Sequence, residues 1–176
     1  NLLTGKHPDR CVTTHPEVFR AAALAVRATG ARTTWGDSPA IEPVERAARK
    51  SELLGIAQSL DMSLADFQSG RLLSFPQGRQ HKRFTIARGA VEADGIISLP
   101  KLKTHGLTIM TAAVKNTFGC IPGHLKRELH IALPGVQRFS QMLVDLSQLI
   151  SCRLHILDAI TAMEGNGPHG GKPHQL

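Results

Sequence analysis

The residues with the widest chemical reach lie between Lys101 and His130. Lys101, Lys103, Lys115, Lys126 and Arg127 are opposed in that stretch by one acid, Glu128, and His105, His124 and His130 are interleaved with them. Such a group suits an anion. Ammonium groups attract it, and imidazoles titrate near neutral pH, so they can move a proton to or from it. Lys101-x-Lys103-x-His105 follows a short apolar stretch closed by Pro100. Cations at a strand exit, next to a following helix N-terminus, add charge to the helix dipole. Lys126-Arg127 fits an ordinary solvated basic face equally well. Lys115-Asn116 sits one position off an apolar stripe. Lys115 either points into a cleft or keeps its stem on the core boundary and its head in water.

The acids fall at similar places. Asp37 lies in Gly36-Asp37-Ser38-Pro39, Asp158 ends an apolar stretch, and Glu164 precedes a glycine-rich tail. They could position a substrate or a base, or hold a divalent metal. No HExxH or HxH pattern singles out a transition metal, and a mixed His/Asp/Glu site stays open. The expected substrate-binding set is Lys101, Lys103, Lys115, Asn116, Lys126, Asp37 and Asp158. The expected catalytic set is His105, His130 and Glu164.

Other patterns carry less. Gly165-Asn166-Gly167-Pro168-His169-Gly170 matches GxGxxG, but it lies seven residues past the expected strand and its prolines stop it opening a helix, so it is no dinucleotide fingerprint. Asn166 to Lys172 is a near miss for a phosphate loop. Cys11, Cys120 and Cys152 form no CxxC pair and support neither a disulfide scaffold nor a cysteine-ligated cluster. Cys120, beside the basic stretch, reads as a buried small residue or an activated thiol.

The elements that must position these residues are helices alternating with short strands. Thr14-His15-Pro16-Glu17 reads as a helix start capped by Thr14, with Gly30 as its stop. Ala31 to Trp35 is a short strand, and Pro43 to Leu60 a second helix. Arg71–Phe75 and Phe84–Ala87 flank a turn. Ile96–Leu99 is a strand, Leu107–Phe118 a helix, and a basic helix follows Gly123. Val136–Ile150 has the clearest apolar face, followed by strand Leu154–Asp158. This order predicts an α/β domain over residues 1–176: a layered, mainly parallel or mixed sheet flanked by helices, Rossmann-like but without the dinucleotide fingerprint. Ligands of such sheets bind at the carboxyl ends of strands, where the three polar loops would meet.

The chain has 176 residues, 41% hydrophobic and 20% charged, with a net charge of +7. That is a globular composition. No run is long enough to span a membrane. Nucleic acid is disfavoured as a partner, because aromatic residues are 4% and tyrosine is absent, which leaves few stacking platforms. The chain opens without Met and closes in a loop-like stretch, so it is expected to be a fragment cut at both ends, with the cytoplasm as the default location.

Leu99-Pro100-Lys101-Leu102-Lys103-Thr104-His105-Gly106, Ala113-Val114-Lys115-Asn116-Thr117-Phe118-Gly119-Cys120 and Met163-Glu164-Gly165-Asn166-Gly167-Pro168-His169-Gly170 together resemble a prokaryotic family known as domain of unknown function 362. Thr14–Val18, Gly36–Pro39, Lys126, His130 and Asp158 fit it too. The resemblance implies no established reaction. It implies a ferredoxin-like partner domain carrying an iron–sulfur cluster, which in many members follows this one and places no cluster on any residue here. A remote likeness to the fold of the nickel-cofactor lactate racemase is a fold-level analogy only. The expected function is an enzyme acting on a carboxylate- or phosphate-bearing small molecule, redox-linked through that partner domain. The alternative is a non-catalytic binding or electron-relay module.

Overall fold

The computed structural model describes residues 2–39 and 41–176. Pro16 opens α1 (Pro16–Arg27), where its missing N–H leaves no helical bond unmade. The cap is His15, whose Nδ1 accepts from Glu17 N at 3.2 Å. Thr14, expected as the cap, instead donates its hydroxyl to Leu99 O at 2.5 Å. After β1 (Thr34–Trp35), the helix expected from 43 to 60 divides into α2 (Val44–Lys50) and α3 (Leu53–Ser59). The break has a local cause. The buried Ser51 hydroxyl bonds back to Ala47 O, and Glu52 adopts a left-handed φ of 61°.

β2 (Ser63–Leu64) runs parallel to β1. β3 (Gly70–Ser74) and β4 (Arg83–Ala87) form the expected antiparallel pair, and α4 (Arg88–Val91) and β5 (Ile97–Ser98) follow. Beyond Pro100 the chain departs from the sequence reading. Lys101–His105 is a strand, β6, which turns back into β7 (Ile109–Thr111) before a short α5 (Ala113–Asn116) and a 3-10 turn over Thr117–Cys120. His105 makes the turn: its Nδ1 accepts the backbone N–H groups of Leu107 and Thr108 at 3.1 and 3.3 Å. Those N–H groups are thereby tied into a hairpin instead of beginning a helix.

α6 (Gly123–Ala132) and α7 (Val136–Ile150) stand where the sequence places them. β8 (Leu154–His155) pairs parallel with β5. Asp158 begins β9 (Asp158–Glu164), and β10 (Lys172–Gln175) pairs antiparallel with it. The architecture is mixed α/β. The described strands make four small sheets, the largest ordered β10-β9-β6-β7, with β6 and β9 parallel and the outer pairs antiparallel. They do not join into one layered sheet.

The larger core gathers on α7. Phe139, Met142 and Leu146 are fully buried and pack with Phe84, Ile86, Phe118 and Ile121. Each such side chain contributes roughly 1.5–3 kcal/mol by burial. A smaller core of Trp35, Ala47, Ala48, Leu53 and Ala57 joins β1 to α2 and α3. β6, paired with β7 and β9, carries Lys101 and Lys103.

Candidate functional site

Residues two apart on a strand share a face. Lys101, Lys103 and His105 therefore project from one side of β6, and the two lysines are only 2% exposed. Lys101 is sealed. Its Nζ lies 2.8 Å from Asp158 Oδ2, which also accepts the backbone N–H of His15 at 2.7 Å. One carboxylate thus ties β6, β9 and the entrance of α1 together.

Lys103 has different surroundings. Its Nζ donates to Val12 O at 2.5 Å, and burial together with Lys115 and Lys101 lowers its pKa to about 7, with Asp37 opposing. Burial and Lys126 lower Lys115 to about 8. Burial also lowers Lys126, against Asp37, and its Nζ donates to Ser38 O. Lys115 and Lys126 stand 6.0 and 5.6 Å from the centre of the Phe118 ring, near the limit of cation–π attraction. Burial raises the pKa of Asp37, but neighbouring positive charge including Lys126, with N–H donation from Leu2 and Ser38 at 2.6 and 2.7 Å, brings it below the usual carboxylate range. Gly119 permits this approach, since a Cβ there would lie 2.7 Å from Asp37 Oδ1.

The two imidazoles have complementary tautomers. His105 Nδ1 is an acceptor, so its ring proton sits on Nε2. Burial, then Lys115 and Lys103, with His130 and His169 adding to them, lowers its pKa to about 4, so the ring is neutral at pH 7. His105 can donate a hydrogen bond but cannot accept a proton at Nε2. His130 Nδ1 lies 2.7 Å from Lys126 O. A carbonyl only accepts, so the neutral ring holds its proton on Nδ1 and leaves Nε2 with a lone pair. The His130 ring packs on Phe139 and Phe118, with centroids 4.4 and 5.5 Å away.

Asn116 donates to Ser98 Oγ at 2.9 Å, which fastens α5 to β5. Glu164 stands apart on the exposed end of β9, 3.5 Å from His174 Nδ1. It lines a hollow of about 450 Å³ with Gly165, Asn166 and Lys172. The glycine loop itself meets β6: a Cβ on Gly167 would lie 2.0 Å from Thr104 O. The second glycine of the GxGxxG match thus serves close packing. A cleft of about 530 Å³ lined by Asp37, Ser38, Glu42, Phe67, Gly123 and His124 opens beside the lysines.

Among the described residues no three His, Cys, Asp or Glu side chains converge as a metal site requires. Burial raises the pKa of Cys11 and Cys152 and raises Cys120 to about 12, so these free thiols are protonated at neutral pH.

With this geometry in hand, the comparisons are decisive about kinship. The profile of a domain of unknown function, DUF362, matches residues 1–176. The chain belongs to this family. It is also similar to a thylakoid-associated protein of Synechocystis sp., at 41% identity over 177 residues, covering 100% of this chain and 54% of that protein. The chain thus spans about half the length of this relative. No solved structure matches it. In this DUF362 chain the structure brings together Asp37, Lys103, His105, Lys115 and Lys126, with His130 nearby. It removes Lys101 and Asp158 into a pair of their own and leaves Glu164 outside. Sequence reasoning missed Thr13 and Thr111, both 1% exposed and each with a side-chain hydroxyl that has no hydrogen-bond partner among the described residues. No pattern marks such a threonine. Only the register of β7 against Lys103 reveals Thr111.

Proposed function

We propose that this DUF362 chain is an enzyme domain that binds an anionic small molecule, a carboxylate or a phosphate, between Lys103, Lys115 and Lys126. The observation behind it is a group of three buried or half-buried lysines whose pKa values burial lowers, Lys115 adding to the effect on Lys103 and Lys126 to that on Lys115, with Asp37 opposing at Lys103 and Lys126. Like charges held together out of water are costly, and an anion relieves that cost. In this reading His105 donates Nε2–H to the ligand, and His130 accepts a proton at Nε2. Asp37 fixes Lys126 and the cleft. Lys101 and Asp158 position β6 and touch no ligand. The domain over residues 1–176, the link to an iron–sulfur domain and a divalent metal carried by the ligand belong to the same proposal.

Location belongs to it too. No helix among the described residues is long and apolar enough to cross a membrane. The thylakoid-associated name of the relative and the net charge of +7 make attachment to an anionic membrane surface the alternative to a cytoplasmic position.

The test is thermal unfolding of the chain with phosphate, acetate and malonate at matched ionic strength. Saturating ligand at one hundred times Kd stabilises by about 2.7 kcal/mol, which raises Tm by about 5–10 °C in a domain of this size. Lys115→Met should remove most of that rise. If no anion shifts the parent, or if Lys115→Met responds equally, anion binding at this cluster is wrong.

A further inference from the structure

The anion reading leaves the ligand class open, and two threonines narrow it. Thr111 pairs directly with Lys103 across the antiparallel β6–β7 ladder. Residues opposite each other in such a ladder project on the same face. The Thr111 side chain therefore shares the lysine face of β6. Thr13 follows Val12, whose carbonyl accepts from Lys103 Nζ. Both hydroxyls are buried and without a hydrogen-bond partner among the described residues. Leaving a buried hydroxyl unpaired is costly. Thr111 stands opposite the buried Lys103, and Thr13 adjoins Val12, the residue to which Lys103 donates; an acceptor that brings several oxygens would satisfy both hydroxyls.

We propose that the seat takes the phosphoryl group of a phosphate monoester, with the Thr13 and Thr111 hydroxyls donating to its oxygens beside Lys103 and Lys115. This rests on the anion-binding reading and makes it specific. The donors come from four segments: residues 12–14, β6, β7 and α5. A carboxylate is planar and offers two oxygens on one edge, whereas a phosphoryl group offers three in a tetrahedral array. The cations are lysines, compact point charges that bind phosphate oxygens without imposing a bidentate geometry. Lys115 and His105 are half-buried, while Lys103 and Thr111 are buried.

The experiment compares inorganic phosphate, methyl phosphate, acetate and malonate by calorimetry on the whole chain, at fixed pH and ionic strength. Parent, Thr111→Val, Thr111→Ser and Thr13→Val are measured side by side. Phosphate and methyl phosphate should bind at least tenfold tighter than either carboxylate. Thr111→Val should lose at least tenfold in phosphate affinity while its unliganded Tm stays equal or rises, because a hydroxyl with no partner is removed. Thr111→Ser should retain phosphate affinity, and Thr13→Val should show a smaller loss. Carboxylates binding as tightly as phosphates would overturn the phosphoryl assignment and leave the anion site standing. Unchanged phosphate affinity in Thr111→Val would also overturn it, since the hydroxyl would then be solvated by a buried water. Absence of binding by both classes to the parent would overturn this inference together with the reading beneath it.

Discussion

Two lysines on one strand, two residues apart and equally buried, meet opposite conditions. Lys101 has a carboxylate at 2.8 Å, and that carboxylate is in turn fixed by the His15 backbone N–H. Lys103 faces a carbonyl and the charges of Lys115, Lys101 and Asp37, with Thr111, whose hydroxyl has no hydrogen-bond partner among the described residues, opposite it in the ladder. Burial alone therefore says little about what a lysine is for. A buried cation with its own anion holds the fold. A buried cation among cations stores unfavourable charge that a ligand can neutralise. The sharpest way to break this contrast is at the closed end. Asp158→Ala leaves Lys101 buried without its partner, and removing one member of a buried pair costs about 3–5 kcal/mol. In a domain of this size that lowers Tm by roughly 10 °C or more, read by calorimetry. A loss of only a degree or two would mean that Lys101 finds another partner, and the contrast would fail.

The next effect concerns how the glycine loop is held against the same strand. Gly167→Ala places a Cβ 2.0 Å from Thr104 O, a backbone atom that cannot swing aside. The loop must shift, at a cost of about 1–3 kcal/mol, as overpacking generally costs. Gly165→Ala, where no atom lies within 4 Å, meets only the strain of its φ of +80° and should cost less, about 1 kcal/mol. Chemical denaturation of the two variants ranks them. The reverse ranking would detach the loop from β6.

How much of this was legible in the sequence varies along the chain. α7 was readable because its apolar residues repeat with helical period over fifteen positions. The β3–β4 pair was readable from its turn. The stretch from Leu107 to Phe118 misled, since Leu107, Met110, Val114 and Phe118 also fit a helical stripe. Their periodicity was overruled by one side chain, His105, which captures two backbone N–H groups and turns the chain. Asp158 was read as the end of a strand and is the start of one, because its partner Lys101 lies across a parallel pairing that local sequence does not encode. The lysine cluster was legible as composition. Which lysine is neutralised, and which is left beside orphan hydroxyls, depends on register and on contacts across about ninety residues of chain between Val12 and Lys103.

The smallest effect probes the open end through pH. The folded-state pKa of Lys103 is depressed to about 7 from an ordinary 10.5. Between those values the unfolded chain binds the proton and the folded chain does not. Stability therefore rises with pH across that window, and the full penalty of the buried charge is felt below about pH 7. Lys115, lowered to about 8, acts with the same sign. His105, lowered to about 4, acts between there and 6.5, below the window chosen. Cys120, raised to about 12 from 9.0, works in the opposite direction above pH 9. Unfolding free energy measured from pH 7 to pH 9 isolates the lysines. We expect a gain of about 1 kcal/mol, less than the full shift implies, because a buried ammonium can relax toward water. Lys103→Met should flatten part of the slope and raise stability at pH 7. Adding Lys115→Met should flatten the rest. Saturating phosphate should do the same to the parent by adding negative charge beside the lysines. A slope that survives the double substitution would place its origin elsewhere, and Lys103 would then be as settled in its surroundings as Lys101.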